Sequence, residues 1–211
     1  MKKLCVAFSA VVILAYAGSA FAQSTYFDVK GGGAYAKDPK KLGFNANVSL
    51  GTDLNPYFMI FAKPGFSWFK WDQGLGIYQT VGPVTSELKS SVNAYAFPVL
   101  GGAKVKFVDM KESMGIVPYI SAAVGYTWMK YDYEVPAYST YAAEKVSNTF
   151  KGLTWEVLAG LDYQFEGTNM SMGVEAGYRG MKLKKGNYEV DMSGFLANVG
   201  VSFALDDSQG G

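Results

Sequence analysis

The chain contains no histidine and a single cysteine. Without an imidazole it lacks the side chain that most often moves protons or binds metals near neutral pH, so neither His-based catalysis nor a His metal site is expected. One thiol, Cys5, cannot make an intrachain disulfide or a Cys zinc site. No sign of charge dominates either. With 19 Lys+Arg against 18 Asp+Glu the basic field of a nucleic-acid-binding protein is missing, and no such partner is expected. Beyond the first 22 residues no apolar run approaches the roughly 20 residues that a membrane-spanning helix requires. What is present is 211 residues, 49% hydrophobic and 16% aromatic, with 25 glycines. That is enough for one domain with a real core and too apolar for disorder.

The first 22 residues have the grammar of an export leader. Lys2 and Lys3 precede a mostly apolar stretch from Leu4 to Ala17, and Ala20-Phe21-Ala22 fits a small-x-small cleavage site. Cleavage after Ala22 would remove Cys5 and start the mature chain at Gln23, where a lipoprotein would need cysteine. If the mature chain enters a membrane it must do so as a closed barrel of strands, the remaining way to pair every backbone group in lipid.

Period-two alternation in blocks of about ten residues supplies eight such strands. Their apolar faces run Phe27 to Tyr35, Phe44 to Leu50, Phe58 to Trp68, Tyr95 to Val105, Ile120 to Trp128, Leu153 to Phe165, Met170 to Tyr178 and Phe195 to Phe203. The opposite faces carry Gly, Ser, Thr, Asn and scattered charge. Pro64 and Pro98 cannot donate to a ladder, and Pro64 suggests a bulge. Connections after the second, fourth and sixth strands are compact, around Thr52–Pro56, Val108–Gly115 and Glu166–Asn169. Those after the third and fifth are long, around Asp72–Ser90 and Glu134–Phe150, the asymmetry of short periplasmic turns and longer external loops.

Aromatic residues gather at the ends of the apolar faces, with Phe27, Phe58, Tyr163, Phe165 and Phe203 at one end. Tyr35, Phe44, Trp68, Tyr95, Trp128, Trp155, Tyr178 and Phe195 form the other band. Such girdles mark membrane interfaces and favour outward apolar faces over the inverted, soluble barrel that alternation alone also permits. The expected fold class is therefore all-β, an eight-stranded antiparallel up-and-down transmembrane β-barrel over residues 23–203, with 204–211 as a short periplasmic tail.

The segments Val117 to Tyr126, Val174 to Arg179 and Ser193 to Phe203 resemble the small eight-stranded outer-membrane β-barrel family, which includes opacity-type surface proteins and attachment-and-invasion barrels. The resemblance implies an outer-membrane location, insertion by the outer-membrane assembly machinery, and a structural or adhesin-like surface role. Barrels of this family usually stop at the last aromatic residue, whereas this chain continues for eight residues past Phe203.

Eight strands enclose an interior that side chains can just fill, so a plugged lumen is expected. Asp28, Lys30, Lys63, Lys104, Lys106, Glu156, Asp162, Glu175 and Arg179 point inward, four acids against five bases. A tight turn at Glu166–Asn169 makes facing residues sum to 335, which sets Glu156 opposite Arg179 as a lumen ion pair. Ser67 near Lys63 is the one formal Ser–Lys arrangement, and a structural charge explains that lysine better. Gly31 to Gly33 precedes no helix and reads as relief of crowding or room for a bend in the strand, not a phosphate loop. No cofactor, metal site or catalytic residue is implied.

Closure would bring the first and last external loops together, pooling Lys37, Lys40, Lys41, Lys182, Lys184 and Lys185 as a candidate lipopolysaccharide contact. Lys70, Lys130 and Lys151 map to external strand ends. Tyr78, Tyr138 and Tyr141 lie in the long loops, where tyrosines can anchor an extracellular ligand. The alternative to surface display is a small-ligand carrier or narrow channel.

Overall fold

In the computed structural model, residues 24–81, 84–111, 115–137 and 142–205 are described. The expected leader, residues 1–22, and residues 206–211 of the expected tail lie outside them, as do Tyr138 and Tyr141. Nine strands follow one another: β1 (Thr25–Ala36), β2 (Lys41–Asn55), β3 (Phe58–Val81), β4 (Val84–Lys106), β5 (Ile116–Val135), β6 (Glu144–Gln164), β7 (Met170–Lys185), β8 (Tyr188–Asp191) and β9 (Gly194–Ala204). All pairings are antiparallel between chain neighbours, and β9 pairs with both β1 and β7, which closes a ring of eight. The short β8 pairs with the external end of β7, beyond the stretch that pairs with β9, so β8 and β9 are two pieces of one broken stave.

Closure needs close backbone approach at the seam. A Cβ on Gly32 of β1 would run into the backbone carbonyl of Ala197 on β9. The glycine therefore relieves crowding at the strand pair that completes the ring.

Outward faces alternate as the apolar pattern requires, and they are exposed as a lipid-facing wall must be. Leu153 is 71% exposed, Phe195 66% and Val124 61%. Ring pairs run around the external girdle, with Trp155 against Tyr178 at 5.7 Å and Tyr178 against Phe195 at 5.4 Å. At the other end Tyr163 meets Phe165 at 5.4 Å.

Three expectations need correction. The long connections are not loops but continuations of the ladder. Asp72 pairs with Ser91 and Val81 with Val84, while Glu134 pairs with Lys145 and Val135 with Glu144. Once neighbouring strands are held together in the wall, each further pair closes only a short loop and satisfies its own backbone groups, so the ladder runs on. The β3–β4 extension absorbs one irregularity between Gly74 and Tyr78, where Gly76 adopts a left-handed φ of 67° and donates its N–H to Glu87. The expected loop Lys182–Glu189 is likewise a hairpin, turning at Gly186 with φ 59°.

Pro64 makes no bulge. Asn47 faces Gly65 and Leu50 faces Ala62, so the register is unchanged across it, and the slip in β2–β3 falls between Asp53 and Asn55 instead. An outward proline can forgo one donor without displacing its neighbours.

The lumen is also not polar throughout. Its external half is an apolar storey in which Phe69, Met129, Phe150, Leu158, Met181, Leu183, Met192 and Leu196 pack over Ala34, Ala36, Ala94 and Ala96. Trp71, Tyr131 and Val190 close it toward the outside. Phe69→Ala is expected to cost about 3–5 kcal/mol, the usual loss for a buried phenylalanine. Urea unfolding in detergent micelles measures it, and an unchanged midpoint would show that this storey is not a packed core.

Candidate functional site

Below the apolar storey, inward side chains of most strands meet in one hydrogen-bonded network. Arg179, the single arginine of the chain, lies on β7 opposite Glu156 of β6, and the chain register pairs the two directly. Its Nε donates to Glu156 Oε1 at 2.5 Å, and Nη2 lies 2.5 Å from the same oxygen. The other oxygen, Oε2, takes the Lys63 ammonium from β3. The guanidinium thus does not grip both carboxylate oxygens, as an isolated fork would. It shares the carboxylate with a lysine and spends its remaining donors elsewhere, Nη1 on Ser67 Oγ at 2.8 Å and Nη2 on Asn45 Oδ1 at 3.1 Å.

The network continues downward as far as Glu175, with separate pairs below it. Ser67 Oγ donates to Asn45 Oδ1 at 2.8 Å, and the Asn45 amide donates to Asn198 Oδ1 at 3.0 Å. Asn198 donates to Glu175 Oε1 at 3.0 Å. Glu175 Oε2 then receives Lys30 Nζ at 2.7 Å and the Tyr119 hydroxyl at 2.9 Å. Lys104 lies over the Tyr119 ring at 4.2 Å and 3.5 Å from Asp162, and Lys106 reaches Asp53 at 2.5 Å. Asp28 accepts from Ser49 at 2.9 Å.

Asp53 was missed because its stretch, Thr52–Pro56, has the composition of a turn. It is instead a buried residue of β2, and it brings the inward acids level with the five bases. Tyr119, Asn45 and Asn198 were also missed as members, although each sits on the polar phase of its strand. Charge drew attention to the ions, whereas the neutral groups that tie the ions together carry no comparable signal.

Ser67 and Lys63 do not form a nucleophile and base. The Ser67 oxygen is committed to Asn45 and Arg179, and the Lys63 ammonium to Glu156, so the lysine has no free lone pair to take a proton. At the mouth opposite the apolar storey a cavity of about 110 Å³ is lined by Lys104, Lys106, Asp162, Ser171 and Ser202, among others.

The six external lysines are all exposed, and the two turns that carry them are adjacent. The Lys37 N–H donates to the Ser193 carbonyl at 2.8 Å, and the Asp191 N–H to Asp38 at 3.2 Å. They are not equally free. Lys184 reaches Glu189 at 3.0 Å, Lys185 bonds Asn148 of β6, and Lys182 lies across the ladder from Asp191. Burial pushes the Asp191 carboxyl up, but hydrogen bonds from Ser193, with Lys182 and Lys37 nearby, hold it below the usual carboxylate range.

Removing one member of a buried, hydrogen-bonded ion pair typically costs about 3–5 kcal/mol, because the partner stays buried and under-compensated. Arg179→Met is expected to fall in that range by urea unfolding. Adding Glu156→Gln to it should recover part of the loss, and a purely additive double variant would show the two side chains to be uncoupled.

The model of the outer membrane protein beta-barrel domain matches residues 6–203. No curated protein matches the chain. Among solved structures, Neisserial surface protein A is similar at 12% identity and a TM-score of 0.55, over 85% of this chain and 96% of that one. Ail of Yersinia pestis, solved with the heparin analogue sucrose octasulfate, is similar at 10% identity and a TM-score of 0.50, over 86% of this chain and 97% of that one. OprG from Pseudomonas aeruginosa gives 10% identity and a TM-score of 0.48, over 87% and 97%.

Proposed function

The chain belongs to the outer membrane protein β-barrel domain family, and on that premise we propose that it is a non-catalytic surface protein with a plugged lumen, whose structural or adhesive role is carried by the hairpins beyond its external girdle. The observation that supports this reading best is the double filling of the lumen. A polar network spans the lower half, and side chains such as Phe69, Met129 and Phe150 fill the upper half at 7% exposure or less. A small-ligand carrier or narrow channel would require that upper storey to part.

In this reading the leader is removed after Ala22, the assembly machinery inserts the barrel in the outer membrane, and the tail that follows β9 lies on the periplasmic side. The Glu156–Arg179 pair serves as the lock of the lower lumen. The hairpins offer Tyr78 and Tyr188, 64% and 77% exposed, as anchors for an extracellular ligand. Lys37, Lys40, Lys41, Lys182, Lys184 and Lys185 face lipopolysaccharide, whose phosphates complement a cationic rim. The sulfated ligand of Ail is likewise a polyanion.

Planar-bilayer recording of the folded protein is expected to show no unitary conductance, and regular steps would overturn the plugged reading. Changing the six rim lysines together to Gln should reduce the lipopolysaccharide that co-purifies from outer membranes. Unchanged retention would remove that contact from the proposal.

A further inference from the structure

We propose that the outer wall of β6 and β7 carries a seat for the phosphate of an outer-leaflet glycolipid, formed by Lys151, Lys182 and Lys184 above the indole of Trp155. The inference rests on the reading of a lipopolysaccharide-facing rim. It moves the phosphate contact from the turn tips to the barrel wall and adds Lys151 to it.

Lys151 and Lys184 are direct cross-strand partners, both exposed on the outward face. Like charges set opposite each other on a ladder repel, so Lys151 stands against a neighbouring cation. Lys184 has a counter-charge in Glu189 at 3.0 Å, on the side of β8. The Lys151 ammonium has no ion pair or hydrogen bond among the described residues. Lys182 stands on the same face, two positions along β7. Three lysines thus share the outward face above Trp155, with Asp191 and Glu189 across the β7–β8 ladder from Lys182 and Lys184.

Directly beneath them the wall is built as a plate. Trp155 faces Gly180 across the ladder, and a Cβ at position 180 would collide with the indole at Cε2, Nε1 and Cζ2. The missing side chain lets the indole lie over β7, with Tyr178 and Lys182 the next outward residues on either side. Trp155 is in ring contact with Tyr178, and Tyr178 with Phe195. Below the plate, Ala159, Ala176 and Ala197 are successive ladder partners and line a shallow groove with Leu161, Val174 and Val199.

From the outside inward the wall therefore presents cations, an amphipathic aromatic plate and an apolar groove. A phosphorylated glycolipid presents phosphate, sugar and acyl chains in the same order. On the neighbouring strand β5, Lys130 faces Thr149 of β6 and is already satisfied by Asp132 at 3.1 Å.

The test is native mass spectrometry of the folded protein in detergent, counting diphosphorylated lipid A and its dephosphorylated form retained per barrel. Two lysines near a charged membrane surface correspond to roughly 30-fold in affinity, so Lys151→Gln with Lys184→Gln should lower retention of the diphosphorylated form by about that factor. Retention of the dephosphorylated form should not change. Lys151→Arg with Lys184→Arg should keep binding, and Gly180→Ala should weaken it by displacing the indole. Lys37→Gln, Lys40→Gln and Lys41→Gln together should lower it less than the Lys151 and Lys184 pair does, and Lys70→Gln, across the barrel on β3, should leave it close to the unmodified protein. Heat-shifted electrophoretic mobility reports folding for every variant.

The seat is overturned if the Gln pair retains the diphosphorylated lipid like the unmodified protein, or loses both lipid forms equally. A loss confined to the three turn lysines would overturn the seat while leaving the rim reading intact. An unmodified barrel that retains neither lipid form would overturn both.

Discussion

Everything in this protein follows from the demand that no backbone N–H or C=O be left unpaired in hydrocarbon. A sheet meets that demand only by having no edge, so β9 must pair on both sides. The Gly32 approach to Ala197 is the local form of this global requirement. Once the ring is closed, strand alternation sorts side chains to lipid or to the lumen, and the lumen has to be filled by whatever the sequence sends there.

What it sends differs with height. At the level of the bilayer, ten ionised or ionisable side chains share a small volume, and each is tolerable only because partners surround it. Glu156 illustrates the economy of the arrangement, with one oxygen given to the guanidinium and the other to an ammonium. Further out, from the level of the external girdle upward, the inward side chains become apolar. There the barrel is stabilised as a soluble one is, by a core that water cannot reach.

Much of this was legible in the sequence. The ring order, the faces of the strands and the opposition of Glu156 to Arg179 follow from period two and from the length of one turn at Glu166–Asn169. The external storey was not legible, for a physical reason. Inward apolar residues such as Phe69 and Met181 are flanked by outward Trp68, Lys70 and Lys182, so the pattern loses its two-phase contrast where the outer medium changes from lipid to water. The β3–β4 and β5–β6 extensions were hidden for a related reason. Their Gly, Ser, Thr and Lys content is that of loops, and the pairing that orders them is inherited from the wall below. Among the rim lysines, charge and closure were readable, but the flat seating of Trp155 on Gly180 depends on a cross-strand approach that one sequence does not display.

The apolar storey has a consequence for how such a surface can vary. It lies between the hairpin tips and the charged network, and it holds the bases of the hairpins independently of both. Insertions, deletions or substitutions in the tips are therefore absorbed above a rigid collar and do not propagate into the bilayer. A protein built this way can change its outward appearance repeatedly, under pressure from whatever recognises it, while presenting the assembly pathway with the same membrane-embedded body.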